Sequence, residues 1–285
     1  KPKNYYEFQA VLLVVLRLIM LRSLFHEMLI CSPSLVMYGN MISLRSVSSM
    51  NPFFHFKHFG TLSHAITTKA SGNIAYHVGD DKNRVDTNHH TLAQTLGYPE
   101  KNLVFMQQIH SDKIEIITQK PDTILSCDAL LSNQKGIALM VIVADCIPIL
   151  LFDPIKNVIG VIHAGREGLI KEIIPKTLKK MCEHFESNIN DILVGIGPSI
   201  SGVCYEIGSK MAELLMPKFS NVLSYSEEKC TFDGTKLAFL QLENSGILKA
   251  NIEHINICNH CKTDTFYSYR AEGNTGRFSG VIWLN

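Results

Sequence analysis

The stretch LMVIVADCIPILLFDPIKNVIGVIHAGREG, residues 139–168, decides the fold. Two apolar runs, residues 137–143 and 158–162, are short, rich in β-branched side chains and bounded by turn residues. That pattern predicts two buried strands. Each ends on chemistry: the first runs into Asp145 and Cys146, the second into His163, Ala164 and Gly165. Polar and metal-capable groups at the carboxyl ends of buried strands are where an α/β protein usually keeps its site.

Upstream, residues 102–118 (NLVFMQQIHSDKIEIIT) hold two apolar strands separated by Gln107, Gln108, His110 and Ser111. Such a polar interruption is either an exposed turn or part of a site. Residues 126–131 (SCDALL) put Asp128 just before another apolar segment. Residues 86–96 carry Leu92 and Leu96 at helical spacing, closed by Gly97 and Pro99, and predict a short helix. Nearer the start, Phe53, Phe54, Phe56 and Phe59 surround His55 and His58 and predict an edge or a strand with ordinary histidines.

Downstream, residues 171–185 read as an amphipathic helix burying Ile173, Ile174, Leu178 and Met181, with Pro175 tolerated near its first turn. Residues 192–207 (ILVGIGPSISGVCYEI) read as a strand running into a loop with Gly195, Gly197 and Gly202. Such a loop lets backbone N–H groups approach an anion. Further helices are predicted over residues 209–216, stopped by Pro217, and over 235–243, closed by Gly246. Residues 252–258 predict a last strand before CNHCKTDTFYSYR. No repeat or long linker follows residue 50, so one compact α/β domain over residues 50–285 is expected.

With 285 residues, 46% of them hydrophobic, the chain can bury a substantial core. Its 27 basic against 26 acidic residues argue against nucleic-acid or membrane-surface binding, which usually shows a basic excess. A small-molecule substrate is expected instead. Eight cysteines scattered through so long a chain suggest reduced thiols in a cytoplasmic setting rather than a disulfide framework. In residues 1–49, the apolar run AVLLVVLRLIM is interrupted by Arg17 and falls short of the about 20 residues a membrane span needs. A signal-peptide core would fit its length. The reading adopted is an N-terminal extension outside the fold, with the domain starting near Met50 or Met41.

A catalytic zinc site has three protein ligands and one open position. His110, Cys146 and His163 all lie at expected strand ends, compatible with three ligands meeting from separate strands. The rival is a Cys146 nucleophile with His163 or His110 as its base; two histidines rather than one favour metal. Cys258-x-x-Cys261, with His254 and His260, is a more conspicuous cluster. A structural zinc there would need a second pair of ligands, and the chain has no second CxxC. The Lys-Thr-Asp-Thr that follows is a poor start for the helix a redox CxxC opens, so neither role is expected.

Several segments together resemble the YfiH family, also called the laccase-domain or purine nucleoside phosphorylase family. They are residues 73–88 (NIAYHVGDDKNRVDTN), 108–111 (QIHS), 127–130 (CDAL), 144–150 (ADCIPIL) and 163–165 (HAG). Residues 197–208 (GPSISGVCYEIG), 266–270 (FYSYR) and 275–277 (TGR) complete the set, in family order. The resemblance implies a single-domain layered α/β sandwich with mixed sheets, and a zinc held by His110, Cys146 and His163. It also implies phosphorolysis of adenosine, guanosine, inosine and methylthioadenosine, and deamination of adenosine. The chain departs from the family's HAGWRG: Arg166 stands where Trp is expected and Glu167 where Arg is expected. Asn88-His89 replaces an Asn-Arg pair, and Asn73-Ile74-Ala75 replaces Asn-Leu-Gly. These departures fall on phosphate handling rather than on the metal.

Zinc-bound water, with its pKa lowered to about 7, suits attack at C6 of adenine. Asp128 or Asp145 would shuttle protons there, or orient a ligand histidine. Phosphorolysis instead needs phosphate beneath the ribose C1′. Arg270 and Arg277 with the 195–202 loop are the candidates for it, with Asn73 and Arg166 as further substrate or phosphate contacts. Multicopper oxidation is not expected, because no His-x-His pair occurs in the chain. Two other readings stay open: a cell-wall precursor editing hydrolase with a Cys-His or zinc site, and a non-enzymatic regulator retaining the fold. A monomer is expected.

Overall fold

The structure, a computed structural model, describes residues 53–226 and 229–285; the expected extension over residues 1–49 lies outside the described residues. In chain order the first strands are β1 (Phe53–Phe54), β2 (Ser63–Thr67), β3 (Leu103–Gln107), β4 (Ile114–Ile116) and β5 (Leu125–Ser126). Next come β6 (Ala129–Ser132), β7 (Ala138–Val143), β8 (Ile147–Asp153), β9 (Val158–Ala164) and β10 (Leu193–Ile196). The last are β11 (Glu206–Ile207), β12 (Leu223–Tyr225), β13 (Cys230–Phe232), β14 (Ile252–His254) and β15 (Phe278–Trp283).

Two six-stranded mixed sheets form the centre, ordered β1-β2-β15-β7-β3-β5 and β14-β10-β8-β9-β6-β4. The reason the runs over 137–143 and 158–162 are apolar throughout, rather than alternating, is that each strand is covered on both faces. In β9, Ile159 and Val161 join Leu139, Val141, Phe278 and Ile282 of the other sheet, while Val158, Ile162 and Ala164 pack toward helices. In β7, Ala138, Met140 and Ile142 turn the opposite way, into a cluster with Leu92 and Ala93 of helix Lys82–Leu96. Helices Ile173–Phe185 and Gly234–Asn244 cover the second sheet through Ile174, Leu178, Leu237 and Leu242. The layers are therefore helix, sheet, sheet, helices: an α+β sandwich with mixed sheets. A small antiparallel sheet, β11-β13-β12, stands beside it.

The run after Cys146 adds a further strand, β8, which pairs with β9 over seven residues from Ile147↔Ala164 to Asp153↔Val158. Several expectations are corrected. Pro217 does not stop its helix, which runs Ser209–Phe219; in the last turn a missing N–H costs one bond near a fraying end. The last predicted strand is only β14, because the chain turns away after His254. Gly195 and Gly197 serve packing: a Cβ on Gly195 would lie 2.4 Å from the Phe56 ring, and one on Gly197 2.7 Å from Pro148. Among the described residues, no helix is long and apolar enough to cross a membrane.

Candidate metal centre

Topology explains why distant residues meet. β3, β5 and β7 are parallel neighbours in the first sheet. In the second sheet β4 and β6 are parallel, and β9 runs antiparallel to both β6 and β8, so β4, β6 and β8 share one direction. The links β3→β4, β5→β6 and β7→β8 thus each carry the chain across from one sheet to the other in the same sense. They hold His110, Asp128 and Cys146 respectively, and the carboxyl end of β9, paired with the start of β8, brings His163 to the same place.

There the ligand atoms of His110, Cys146 and His163 lie within 4.8 Å of one another. Cys146 Sγ is 3.9 Å from His110 Nε2, and the two imidazoles meet edge to face with centroids 4.8 Å apart. Gly165 permits this approach: a Cβ there would sit 3.0 Å from His110 Cδ2 and 3.1 Å from Cys146 Sγ. That is a physical reason for glycine in the HAG motif.

Asp128, fully buried, holds the two histidines in place. His163 Nδ1–H donates to its Oδ1 at 2.8 Å, which leaves Nε2 for a ligand. The backbone N–H groups of His110 and Ser111 donate to the carboxylate at 3.0 and 2.6 Å, Ile109 N–H at 3.3 Å, and the Ser111 hydroxyl at 2.7 Å. These bonds hold His110 in the left-handed region, φ 55°, a conformation costing roughly 1 kcal/mol in a non-glycine residue. Burial would raise the Asp128 pKa, but the bonds from His163 and Ser111 hold it at about 2. Burial would lower His163, yet the Cys146 sulfur and Asp128 raise it to about 9. Burial would likewise raise Cys146, and the two histidines bring it down to about 6. The result is a thiolate beside an imidazolium; once His163 gives up its Nε2 proton, a thiolate and two imidazole nitrogens make a donor set that fits a borderline-soft divalent ion.

The trio lies on a cleft of about 830 Å³. Arg166, Arg270 and Arg277 line it, as do the aromatic side chains of Tyr76, Phe105, Tyr205 and Tyr269. Arg270 Nη1–H donates to Glu206 O at 2.8 Å, and its guanidinium lies 5.1 Å from the Tyr205 ring centroid. Arg277 donates to Thr275 O and Gly276 O at 2.7 and 3.0 Å; burial lowers its pKa, against the pull of Asp145 and Cys146. Arg166 meets Glu167 Oε1 at 3.1 Å, so this chain's exchanged pair leaves a cation on the cleft with a carboxylate beside it.

Asp145 also lines the cleft, but its oxygens are occupied: it accepts from Asn259 Nδ2 at 2.9 Å, Ser268 Oγ at 2.5 Å and Arg270 N–H at 2.7 Å. Neither aspartate stands as a free proton carrier. Asn73 is buried outside the cleft wall, accepting from the Arg277 N–H at 2.9 Å and donating to Asp80 at 3.0 Å. It fixes the arginine's segment rather than facing a ligand. Of the 195–202 loop only Ile200 reaches the cleft. Reading by residue type passed over the roles of Ser268 and Asn259, which are contacts to Asp145 across more than a hundred residues and have no local sequence signal.

Residues 53–285 match the family model described as multi-copper polyphenol oxidoreductase laccase. A purine nucleoside phosphorylase of Corynebacterium glutamicum is 34% identical over 220 residues, 75% of this chain and 87% of that one. The purine nucleoside phosphorylase YlmD of Bacillus subtilis is 29% identical over 226 residues, 74% of this chain and 81% of that one. Among solved structures, the YfiH protein of Bacillus licheniformis aligns with a TM-score of 0.76 at 25% identity, covering 83% of this chain and all (100%) of that one.

Proposed function

This chain belongs to the YfiH, purine-nucleoside-phosphorylase-like family, and from that premise we propose that it cleaves purine nucleosides by phosphorolysis in the cleft over His110, Cys146 and His163. One observation carries the reading: a single cleft joins a two-imidazole, one-thiolate donor set to three arginines and five aromatic side chains, Phe232 among them. Apolar and aromatic walls suit a purine base, and guanidinium groups suit phosphate.

The three side chains fit zinc, because Asp128 fixes the His163 tautomer and the thiol is lowered to about 6. When bound, zinc supplies Lewis acidity and a nearby positive charge. The family description names multicopper oxidation, which needs paired histidines for a copper cluster; the sequence has no His-x-His pair.

In phosphorolysis an oxygen of phosphate bonds to C1′ as the C1′–N9 bond breaks, and the base leaves with the bonding electrons and takes a proton. Arg270 and Arg277 hold the phosphate dianion, with Arg166 beside them. Asp145 keeps Arg270 at the rim by accepting its backbone N–H. Asp128 acts through His163 and His110, keeping the proton on His163 Nδ1. Both aspartates are thus positioning residues.

Deamination of adenosine is the second reading, favoured by a three-ligand set that faces a cleft rather than being closed by a fourth side chain. Incubating adenosine with and without phosphate and separating the products tests both. Free adenine that requires phosphate supports phosphorolysis, and inosine formed without phosphate supports deamination. No product from adenosine, guanosine, inosine or methylthioadenosine would overturn the reading and return the chain to an editing or regulatory role.

A further inference from the structure

A second cluster of soft donors lies away from the cleft. Cys204, in the loop after β10, brings its sulfur to 3.4 Å from that of Cys261, in the turn after β14. The ligand atoms of Cys204, His260 and Cys261 all lie within 4.8 Å of one another. Cys258 joins them: its Sγ accepts the Ser201 N–H at 3.3 Å and is also in hydrogen-bond contact with Cys261. None of these four side chains lines the cleft over Cys146.

The sequence shows why this was hidden. Cys258-x-x-Cys261 lacks a second CxxC, and the missing partner is a single cysteine more than fifty residues earlier. The fold delivers it through the parallel bridge Ser199↔Cys258, which ties the loop after β10 to the turn after β14. His254, expected with this cluster, is not part of it; it stays in β14 against the Phe239 ring, centroids 5.6 Å apart.

We propose that Cys204, His260 and Cys261, with Cys258 beside them, form a second, structural site for a divalent zinc-class ion. Two sulfurs and an imidazole lie within reach of one ion, with the Cys258 sulfur in contact with Cys261 as a further donor, and soft sulfur and imidazole nitrogen are what such an ion takes. Backbone N–H groups aimed at a cysteine sulfur favour its thiolate form. The independent observation is His260 Nδ1, which is buried and without a hydrogen-bond partner among the described residues. Buried polar atoms are nearly always satisfied, and this one belongs to a side chain whose ligand nitrogen already lies with two sulfurs. A Cys204–Cys261 disulfide is the competing use of the same atoms. It would consume two thiols and a two-electron oxidant, and would leave the His260 nitrogen unanswered.

The site does not depend on the nucleoside reading. Its test is zinc stoichiometry on the full chain, stripped with chelator under reductant, reloaded with Zn(II) alone and freed of excess metal. Wild type is expected to hold about two zinc ions per chain, one per donor cluster. Cys261→Ser and His260→Ala should each lose about one and keep the Cys146 site, while Cys146→Ser loses the other. Far-ultraviolet circular dichroism identifies a variant that fails to fold, and the exposed Cys261 makes its serine variant the gentler of the two. Only one zinc in wild type, lost in Cys146→Ser, would overturn the proposal. So would two zinc ions that survive both Cys261→Ser and His260→Ala. A thiol titre that falls by two without reductant, with a single zinc bound, would assign the atoms to a disulfide instead.

Discussion

Two sulfur–histidine clusters in one chain differ in what stands behind them. At His110, Cys146 and His163 a buried carboxylate fixes one ligand's tautomer and the other's backbone, and the trio borders a large cleft. At Cys204, His260 and Cys261 an imidazole nitrogen has no hydrogen-bond partner among the described residues, and the cleft lining includes none of the three. The lesson is that donor atoms alone do not distinguish chemistry from structure. The carboxylate behind the ligands and the space in front of them do.

The largest effect should come from removing a ligand of the first cluster. Cys146→Ala or His163→Ala is expected to abolish zinc retention there and lower kcat/KM for phosphorolysis by more than about 100-fold. Unchanged turnover in either variant would erase the contrast between the clusters. Asp128→Asn comes next. It keeps the shape but weakens the His163 and His110 contacts, and zinc affinity in a competition titration should fall about 10–100-fold.

The same carboxylate sets a pH signature of the metal-free protein. Asp128 is depressed from 3.8 to about 2, so its stabilisation is present above about 4 and fades as pH falls through about 2. His163 is raised from 6.5 to about 9, so its stabilisation is present below about 6.5 and is lost as pH rises through about 9. Cys146 acts with the opposite sign in that window: its thiol is lowered from 9.0 to about 6, so its stabilisation grows as pH rises from about 6 to 9 and offsets the His163 loss. Denaturation midpoints should therefore fall below about pH 4 and change little between about pH 6 and 9. Asp128→Asn should flatten the acid arm; an acid arm that persists would place its origin elsewhere.

Smaller effects probe the space in front of the ligands. Gly165→Ala pushes a methyl group toward His110 and Cys146, and about 1–2 kcal/mol of overpacking should cost roughly tenfold in zinc affinity. Glu167→Gln removes the carboxylate that pairs with Arg166. For a partly exposed pair that is worth at most about 1 kcal/mol, so KM for phosphate should fall by about two- to fivefold. A rise in that KM would mean that Arg166 takes no part in anion binding.

The central strands were legible because β7 and β9 are covered on both faces, which makes their apolar runs continuous. His110, Cys146 and His163, which meet as a group that could hold a metal, were legible because each follows or closes a strand and falls within a family motif. The division of strands between sheets was not. β3 and β4 look like a hairpin in sequence, yet they belong to different sheets, and the polar residues between them form a crossover. Asp128 and Asp145 were readable as acids, but their anchoring roles depend on partners at His163, Ser268 and Arg270, which no local pattern announces. Gly195 and Gly197 looked like an anion cradle because glycine signals backbone approach without saying what approaches; here it is Phe56 and Pro148.

The central claim is that the first cluster sits where phosphate meets a purine nucleoside. Phosphorus NMR of the zinc-loaded protein with inosine and inorganic phosphate tests it most directly. The phosphate signal is expected to decline as a ribose 1-phosphate signal grows in step with free hypoxanthine, with neither change in Cys146→Ala. Hypoxanthine released with no new phosphorus signal, or a ribose 1-phosphate signal undiminished in Cys146→Ala, would contradict it.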